Sequence, residues 1–169
     1  MLAGTLLVVL CARLPALPVG PVPVTLQSLA VLLCGALLGP WRGALAVLLY
    51  LGLGLAGLPV FSAGAAGPAV LAGASAGYLL AFPLAAALCG SLVARVPADG
   101  RRGRGLLLFA CGLGSSALLV HPLGVAGLMR ALDLPLGQAL AIDARFWPGD
   151  VIKNTALALI VSAWRRCRA

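Results

Sequence analysis

Two charged side chains stand at the start of the last long apolar run of this 169-residue sequence. Asp150 is one of four acidic residues in the chain, and Lys153 is its only lysine. Residues three positions apart share a face of a helix, and a carboxylate accepts hydrogen bonds whereas an ammonium group donates them. The pair therefore suits a neutral ligand that offers both donors and acceptors, such as a urea or an amide, or a ligand that carries a carboxylate. The alternative is a structural ion pair in which Asp150 also caps the start of the helix.

Other polar side chains are candidates to line the same space. Thr25 and Gln27 follow a cluster of prolines, whereas Ser62 and Ser75 lie in a glycine-rich stretch and Tyr78 follows it directly. Each of these side chains can donate and accept hydrogen bonds. For Tyr78, packing at a membrane–water interface is an equal alternative.

The single histidine and the five cysteines do not indicate a metal or redox centre. His121 lies in an apolar run beside Pro122, where a contact with a neighbouring helix is favoured over a proton relay. The cysteines are scattered without C-x-x-C spacing, which favours apolar packing. We therefore expect no metal and no cofactor.

The sequence also lacks the common catalytic motifs. It contains neither the G-x-S-x-G of many hydrolases nor the G-x-x-x-x-G-K-[ST] of phosphate-binding loops. Because a hydrolase needs a nucleophile with a base and an orienting group, we predict that the chain is not an enzyme and does not hydrolyse ATP itself.

The composition indicates a membrane protein. Hydrophobic residues make up 62% of the chain and charged residues only 9%, whereas soluble domains carry about 25% charged residues. A spanning helix needs roughly 20 mostly apolar residues. We predict one all-α domain, residues 1–169, that is a bundle of six transmembrane helices within the lipid bilayer. The predicted runs are Leu2–Leu17, Ser28–Leu38, Gly43–Leu58, Tyr78–Val96, Leu106–Leu132 and Val151–Trp164.

Two connections and one run have features of their own. The proline-rich stretch 18–27 and the glycine-rich stretch 59–77 are predicted to be irregular, because proline breaks helices and glycine favours turns. Residues 136–144 are predicted to form a short helix. In the third run, Gly52, Gly54 and Gly57 predict close packing between helices, as small residues do in membranes.

The arginines predict the orientation, because positive residues concentrate in cytoplasmic segments. With both termini cytoplasmic, the inner side holds Arg42, Arg95, Arg101, Arg102, Arg104, Arg165, Arg166 and Arg168. The outer side holds only Arg13, Arg130 and Arg145. These clusters orient the chain, and we do not interpret them as a nucleic-acid surface. This topology places both irregular stretches and the Asp150–Lys153 pair at the outer face.

Several motifs, in order along the chain, resemble those of a known family. Gly20-Pro21-Val22-Pro23-Val24-Thr25-Leu26-Gln27 is similar to a GPVPVTLQ motif, Gly77-Tyr78-Leu79-Leu80-Ala81-Phe82-Pro83 to GGYLLGFP, and Pro148-Gly149-Asp150-Val151-Ile152-Lys153 to PGDxxK. These motifs resemble those of the BioY family, the biotin-specific substrate-binding (S) components of energy-coupling-factor (ECF) transporters. Ser75 stands where the family often has a threonine. Ser62-Ala63-Gly64-Ala65 stands where some members have an asparagine.

The resemblance implies a six-helix membrane protein that binds biotin at its outer face. It also implies two kinds of partner: a transmembrane coupling protein and two cytoplasmic ATPase subunits. Asp150 and Lys153 would contact the ligand, and the loop with Thr25 and Gln27 would act as a lid.

From these observations we expect a biotin-capture subunit in the bacterial plasma (inner) membrane, a multi-pass protein. Its ligand-binding residues are predicted to be Asp150, Lys153, Tyr78, Ser75, Thr25 and Gln27. The alternatives are an S component for a different small vitamin, or a structural membrane subunit that binds no ligand.

Overall fold

The computed structural model describes residues 1–15, 21–97 and 103–167, and most of these residues are helical. Six helices of at least 12 residues and one short helix lie in these ranges: α1 (Leu2–Arg13), α2 (Gln27–Leu38), α3 (Pro40–Leu55), α4 (Ala76–Ala94), α5 (Arg104–Leu132), α6 (Leu136–Asp143) and α7 (Trp147–Arg166). The predictions of an all-α fold, of six main helices and of a short helix near residues 136–144 are confirmed. The predictions for Leu17, residues 18–20, Arg101, Arg102 and Arg168 lie outside the described residues.

The turn between α2 and α3 is tighter than predicted. α3 begins at Pro40 rather than at Gly43, because Gly39 makes the turn alone with a φ of 87°. Glycine adopts this left-handed conformation readily, and proline suits the first position of a helix.

The glycine-rich stretch between α3 and α4 is irregular, as predicted. It contains two short 3₁₀ turns, Ser62–Gly64 and Pro68–Ala72. The stretch folds back over the end of α3, where the Gly67 N–H donates to the Gly54 carbonyl at 2.8 Å. The Phe61 ring lies directly against Gly54, where a Cβ atom would overlap it.

α4 is the central helix and packs against α2, α3 and α5. Its contact with α2 and α3 depends on glycines that allow the backbones to touch. A Cβ at Gly90 would lie 2.6 Å from the Gly35 carbonyl oxygen, and a Cβ at Gly43 would lie 2.6 Å from the Gly35 Cα. We call this α2–α3–α4 contact the glycine seam. Such close approach is typical of helix packing in membranes.

The outside of the bundle is apolar. Leu118, Ile152 and Leu159 are each at least 67% exposed, and many other leucines are also exposed. Soluble monomers rarely expose a continuous apolar surface of this kind. Within the described residues, α4 and α5 are long and apolar enough to cross a membrane by length and composition, whereas α1, α2 and α3 are apolar but shorter.

Candidate functional site: a cavity with one charged wall

A cavity of about 250 Å³ lies at the end of the bundle where α2, α4 and α7 begin. This volume is close to the lower end of the roughly 300–1,000 Å³ that is usual for small-molecule sites. The walls come from α2, α4, α5 and α7, and from both irregular stretches. All six residues predicted to bind a ligand line this one cavity: Thr25, Gln27, Ser75, Tyr78, Asp150 and Lys153. The structure brings them together, and their contact with a ligand stays a prediction.

Most of the cavity wall is apolar, with aromatic side chains held at fixed angles. Tyr50 packs edge-on against Phe61 with ring centroids 5.5 Å apart, and Tyr78 packs in the same way against Phe146 at 5.6 Å. The Tyr78 ring also lies against Gly124 of α5, where a Cβ atom would overlap it. An apolar wall with rigid aromatic rings suits a flat or aliphatic part of a ligand.

The charged wall begins with Asp150 and Lys153, which are 4% and 8% exposed. Lys153 Nζ lies 3.1 Å from Asp150 Oδ1 and donates to Ser28 Oγ of α2 at 3.0 Å. An ammonium group has three donors, so one N–H of Lys153 remains for a ligand once these two contacts are made. Because a buried charge is costly without a partner, each of these side chains stabilises the other.

The alternative role of Asp150 as a helix cap is wrong. α7 begins at Trp147 rather than at Val151, and its N-cap residue is Phe146, with no side-chain cap within the described residues. Asp150 therefore lies inside the first turn, where its carboxylate faces side chains rather than free backbone N–H groups.

Two further buried groups extend the charged wall, and the sequence did not indicate them as part of the site. His121 lines the cavity, with its Nε2 3.2 Å from Asp150 Oδ2 and its Nδ1 2.8 Å from Asp143 Oδ2. These contacts have the distance of ion pairs but not the alignment of hydrogen bonds. Asp143 also accepts a hydrogen bond of 2.8 Å from the Tyr78 hydroxyl. The expected contact of His121 with neighbouring helices is present, and its partners are two aspartates.

A weak signal for these residues was available. Asp143 is one of four acids in the chain and lies seven positions before Asp150. His121 is the only histidine and precedes Pro122, so it stands next to a break in the regular helix. Neither signal shows that α6 would bring Asp143 against α5.

The remaining predicted residues lie around the charged wall. Tyr78 is 8% exposed, so it is inside the protein rather than at a lipid interface. Gln27 is also buried. Its side-chain amide donates to the Tyr50 hydroxyl at 2.9 Å, and its backbone N–H donates to Thr25 Oγ1 at 3.3 Å. Ser75 lies directly before α4.

Ser62 is a further polar group at the cavity. Its hydroxyl oxygen is buried and has no hydrogen-bond partner within the described part of the chain. The next residue, Ala63, has a φ of 55°. A non-glycine residue in this conformation is strained, and such strain is common in turns that hold functional groups.

Comparison with known proteins identifies the family. The model of the BioY family matches residues 1–169. The biotin transporter BioY of Rhodobacter capsulatus is 38% identical over 167 residues, covering 91% of this chain and 85% of that protein. A probable biotin transporter BioY of Pyrococcus horikoshii is 44% identical over 142 residues, covering 84% and 80%.

A solved structure has the same fold. The crystal structure of the S component for biotin from an ECF-type ABC transporter superimposes with a TM-score of 0.84 and 31% identity, covering 99% of this chain and 87% of that one. Since the family model matches the full length and the fold agrees, the chain is a membrane protein that belongs to the BioY family.

Proposed function

We propose that this protein is the biotin-binding S component of an ECF transporter and takes part in biotin uptake. The observation that carries the proposal is the cavity in which Asp150 and Lys153 face the same space as apolar and aromatic walls. The relatives named as biotin transporters and the similar S-component structure support the choice of ligand.

The chemistry of the cavity matches that of biotin. The ureido ring of biotin offers two N–H donors and one carbonyl acceptor. Asp150 supplies acceptor oxygens and Lys153 retains one donor beyond its two contacts in the protein. The apolar walls suit the sulfur-containing ring and the aliphatic chain of biotin.

Four other residues are proposed as further contacts. Tyr78 uses its proton on Asp143, so its oxygen is left to accept from a ligand. Thr25 lies in the loop before α2, which acts as a lid, and Gln27 is the first residue of α2. Ser75 lies directly before α4.

Ser62 is proposed as an additional contact. A buried hydroxyl without a partner is unfavourable. A ligand that reaches Ser62 would supply the missing hydrogen bond.

The proposed topology is six membrane spans with both termini in the cytoplasm and the cavity at the outer face. Two of the three outer arginines, which go against the charge rule, make structural contacts within the protein. Arg13 donates to the Pro59 carbonyl and Arg130 to the Leu71 carbonyl, each at 2.7 Å. Both carbonyls belong to the stretch that covers the cavity.

The proposed partners are a transmembrane coupling protein and two cytoplasmic ATPase subunits, which would hydrolyse ATP. The proposed location is the bacterial plasma membrane. Support comes from the similar crystal structure, which is that of the S component for biotin from an ECF-type ABC transporter. Co-purification with tagged ATPase subunits is the direct test of this part.

Equilibrium binding of radiolabelled biotin to the detergent-purified protein tests the ligand. We expect saturable binding in the nanomolar-to-micromolar range that excess unlabelled thiamine or riboflavin does not displace. Displacement by one of those vitamins would indicate an S component for another ligand. Absence of saturable binding to a monodisperse preparation would contradict the proposal.

A further inference from the structure

Asp143 and His121 form the part of the charged wall that the proposed ligand contacts leave unexplained. Asp143 is 3% exposed and His121 is 5% exposed. Buried ionisable side chains inside membrane proteins are rare and usually functional. Here they complete a continuous series of contacts from α4 to α2: Tyr78, Asp143, His121, Asp150, Lys153 and Ser28.

Asp143 belongs to the charged wall but does not itself line the cavity. Tyr78 and His121 line the cavity, whereas Asp143 is not among the lining residues of the described chain. Its two carboxylate oxygens contact these two side chains, each at 2.8 Å. Asp143 therefore reaches a ligand by contact only through Tyr78 or His121.

The position of His121 is determined by a local irregularity of α5. Residues Ser116–Val120 form a π turn directly before it. Pro122 follows and has no backbone N–H to donate, which favours such a widened turn. The imidazole then stacks on Trp147 of α7, with ring centroids 4.6 Å apart and planes within 10°. The stacking fixes the ring plane while its two nitrogens lie beside the two aspartates.

Both oxygens of the Asp150 carboxylate have a positioned neighbour as a result. Lys153 lies at Oδ1 and His121 lies at Oδ2. A carboxylate with one neighbour could rotate about its terminal torsion, since that torsion is broad. With both neighbours in place, the direction in which Asp150 presents its remaining lone pairs is set.

We propose that Asp143 and His121 are positioning residues for ligand capture: Asp143 orients Tyr78 and His121, and His121 orients Asp150 toward the ligand. The inference rests on the proposed binding of biotin at this site. No described residue of α6 lines the cavity. The proposal gives this helix the function of holding Asp143 in place.

Two amide replacements of His121 separate its two polar contacts. In His121→Gln the amide nitrogen takes the place of Nε2 and keeps a donor toward Asp150. In His121→Asn the amide nitrogen takes the place of Nδ1 and keeps a donor toward Asp143. Because Asp150 faces the ligand, we expect His121→Asn to bind biotin roughly fivefold more weakly than His121→Gln, the effect of losing one polar contact to Asp150. Equal affinities, or the reverse order, would overturn the role of His121.

Asp143→Asn tests the role of Asp143 in ligand binding. We expect the Kd for biotin to rise about tenfold, although Asp143 does not line the cavity. Asp133→Asn is the matched control, because Asp133 caps the end of α5 outside the cavity. An unchanged Kd for Asp143→Asn would overturn the proposal.

A double-mutant cycle distinguishes positioning from general stability. If Asp143 acts through Asp150, the fold increase in Kd for the double variant Asp143→Asn/Asp150→Asn will be well below the product of the fold increases for the two single variants. Additive effects, accompanied by a lower melting temperature for Asp143→Asn, would show a purely structural role. If the wild-type chain itself does not bind biotin, the proposed function fails. If it binds and the variants bind equally well, only this inference fails.

Discussion

The glycine seam and the charged wall are two regions of the same bundle that solve opposite problems. In the glycine seam, the backbones of α2 and α4 touch at Gly35 and Gly90 and leave no space. At the charged wall, the helices separate, and one side of the space between them is lined by ionisable groups that hold each other in place. α4 takes part in both regions, since Gly90 is in the glycine seam and Tyr78 contacts the charged wall. The comparison indicates that close packing at one end fixes the helix positions on which the cavity at the other end depends.

The largest effect is expected in the glycine seam. In Gly35→Val, the new side chain would overlap the Ala86 backbone carbonyl, which cannot move aside as a side chain could. We expect a loss of stability of about 3 kcal/mol or more, at the upper end for overpacking. The measurement is the yield of monodisperse protein and its thermal unfolding in detergent.

Gly52→Val is the matched control for this substitution. Gly52 lies on α3, and a Cβ there would meet no described atom within 4 Å. If Gly35→Val is as stable as Gly52→Val, the backbones in the glycine seam are not in tight contact.

The second effect concerns the charged wall and changes binding more than stability. Asp150→Asn or Lys153→Ala removes the charged group that is proposed to bond to the ligand, and a hydrogen bond to a charged group contributes about 1.5–3 kcal/mol. We expect at least a fivefold rise in the Kd for biotin, measured by equilibrium binding. Asp133→Asn makes the same change of residue type as Asp150→Asn, but outside the cavity. This variant should bind biotin as the wild type does. Unchanged affinity with reduced thermal stability would favour the structural ion pair instead.

A smaller effect is expected at Ser62. In Ser62→Ala, the ligand loses one neutral hydrogen bond, which is worth about 0.5–1.5 kcal/mol. The affinity for biotin should fall while the stability of the ligand-free protein stays constant or rises, because a buried hydroxyl without a partner is removed. Ser91→Ala on α4 is the control, since the Ser91 hydroxyl donates to the Ala87 carbonyl of its own helix and does not line the cavity among the described residues. Equal affinities for the two variants would remove Ser62 from the site.

The smallest effect is expected at Arg13, which bonds to the glycine-rich stretch over the cavity. Arg13→Ala removes an exposed hydrogen bond to Pro59, worth up to about 1 kcal/mol. The dissociation rate of biotin should rise a few-fold, and amide hydrogens of residues 56–65 should exchange faster in the ligand-free protein. Arg145→Ala is the charge-matched control, because Arg145 is exposed and makes no hydrogen bond among the described residues. Faster exchange in both variants would point to net charge rather than to the contact.

Much of the fold was predictable because it depends on local properties of the chain. Long apolar runs interrupted by proline, glycine and arginine predict helices and their number. The spacing of Asp150 and Lys153 predicts a shared helix face. The topology then places the irregular stretches beside this pair. All six predicted site residues line one cavity for these reasons.

The tertiary structure decided which helix faces meet, and the sequence could not supply this. Gly52 and Gly57 were predicted to pack helices closely, but a Cβ at either would meet no described atom within 4 Å, and the seam uses Gly35 and Gly90. Likewise, Tyr78 and Asp143 are 65 positions apart and bond only because α6 packs against α5 and brings Asp143 to Tyr78. A helical period shows which residues share a face, but the rotation of a helix about its axis is set by packing against its neighbours. The sequence by itself therefore determined the helices and the Asp150–Lys153 pair, whereas the tertiary structure alone added Asp143 and His121 to the site.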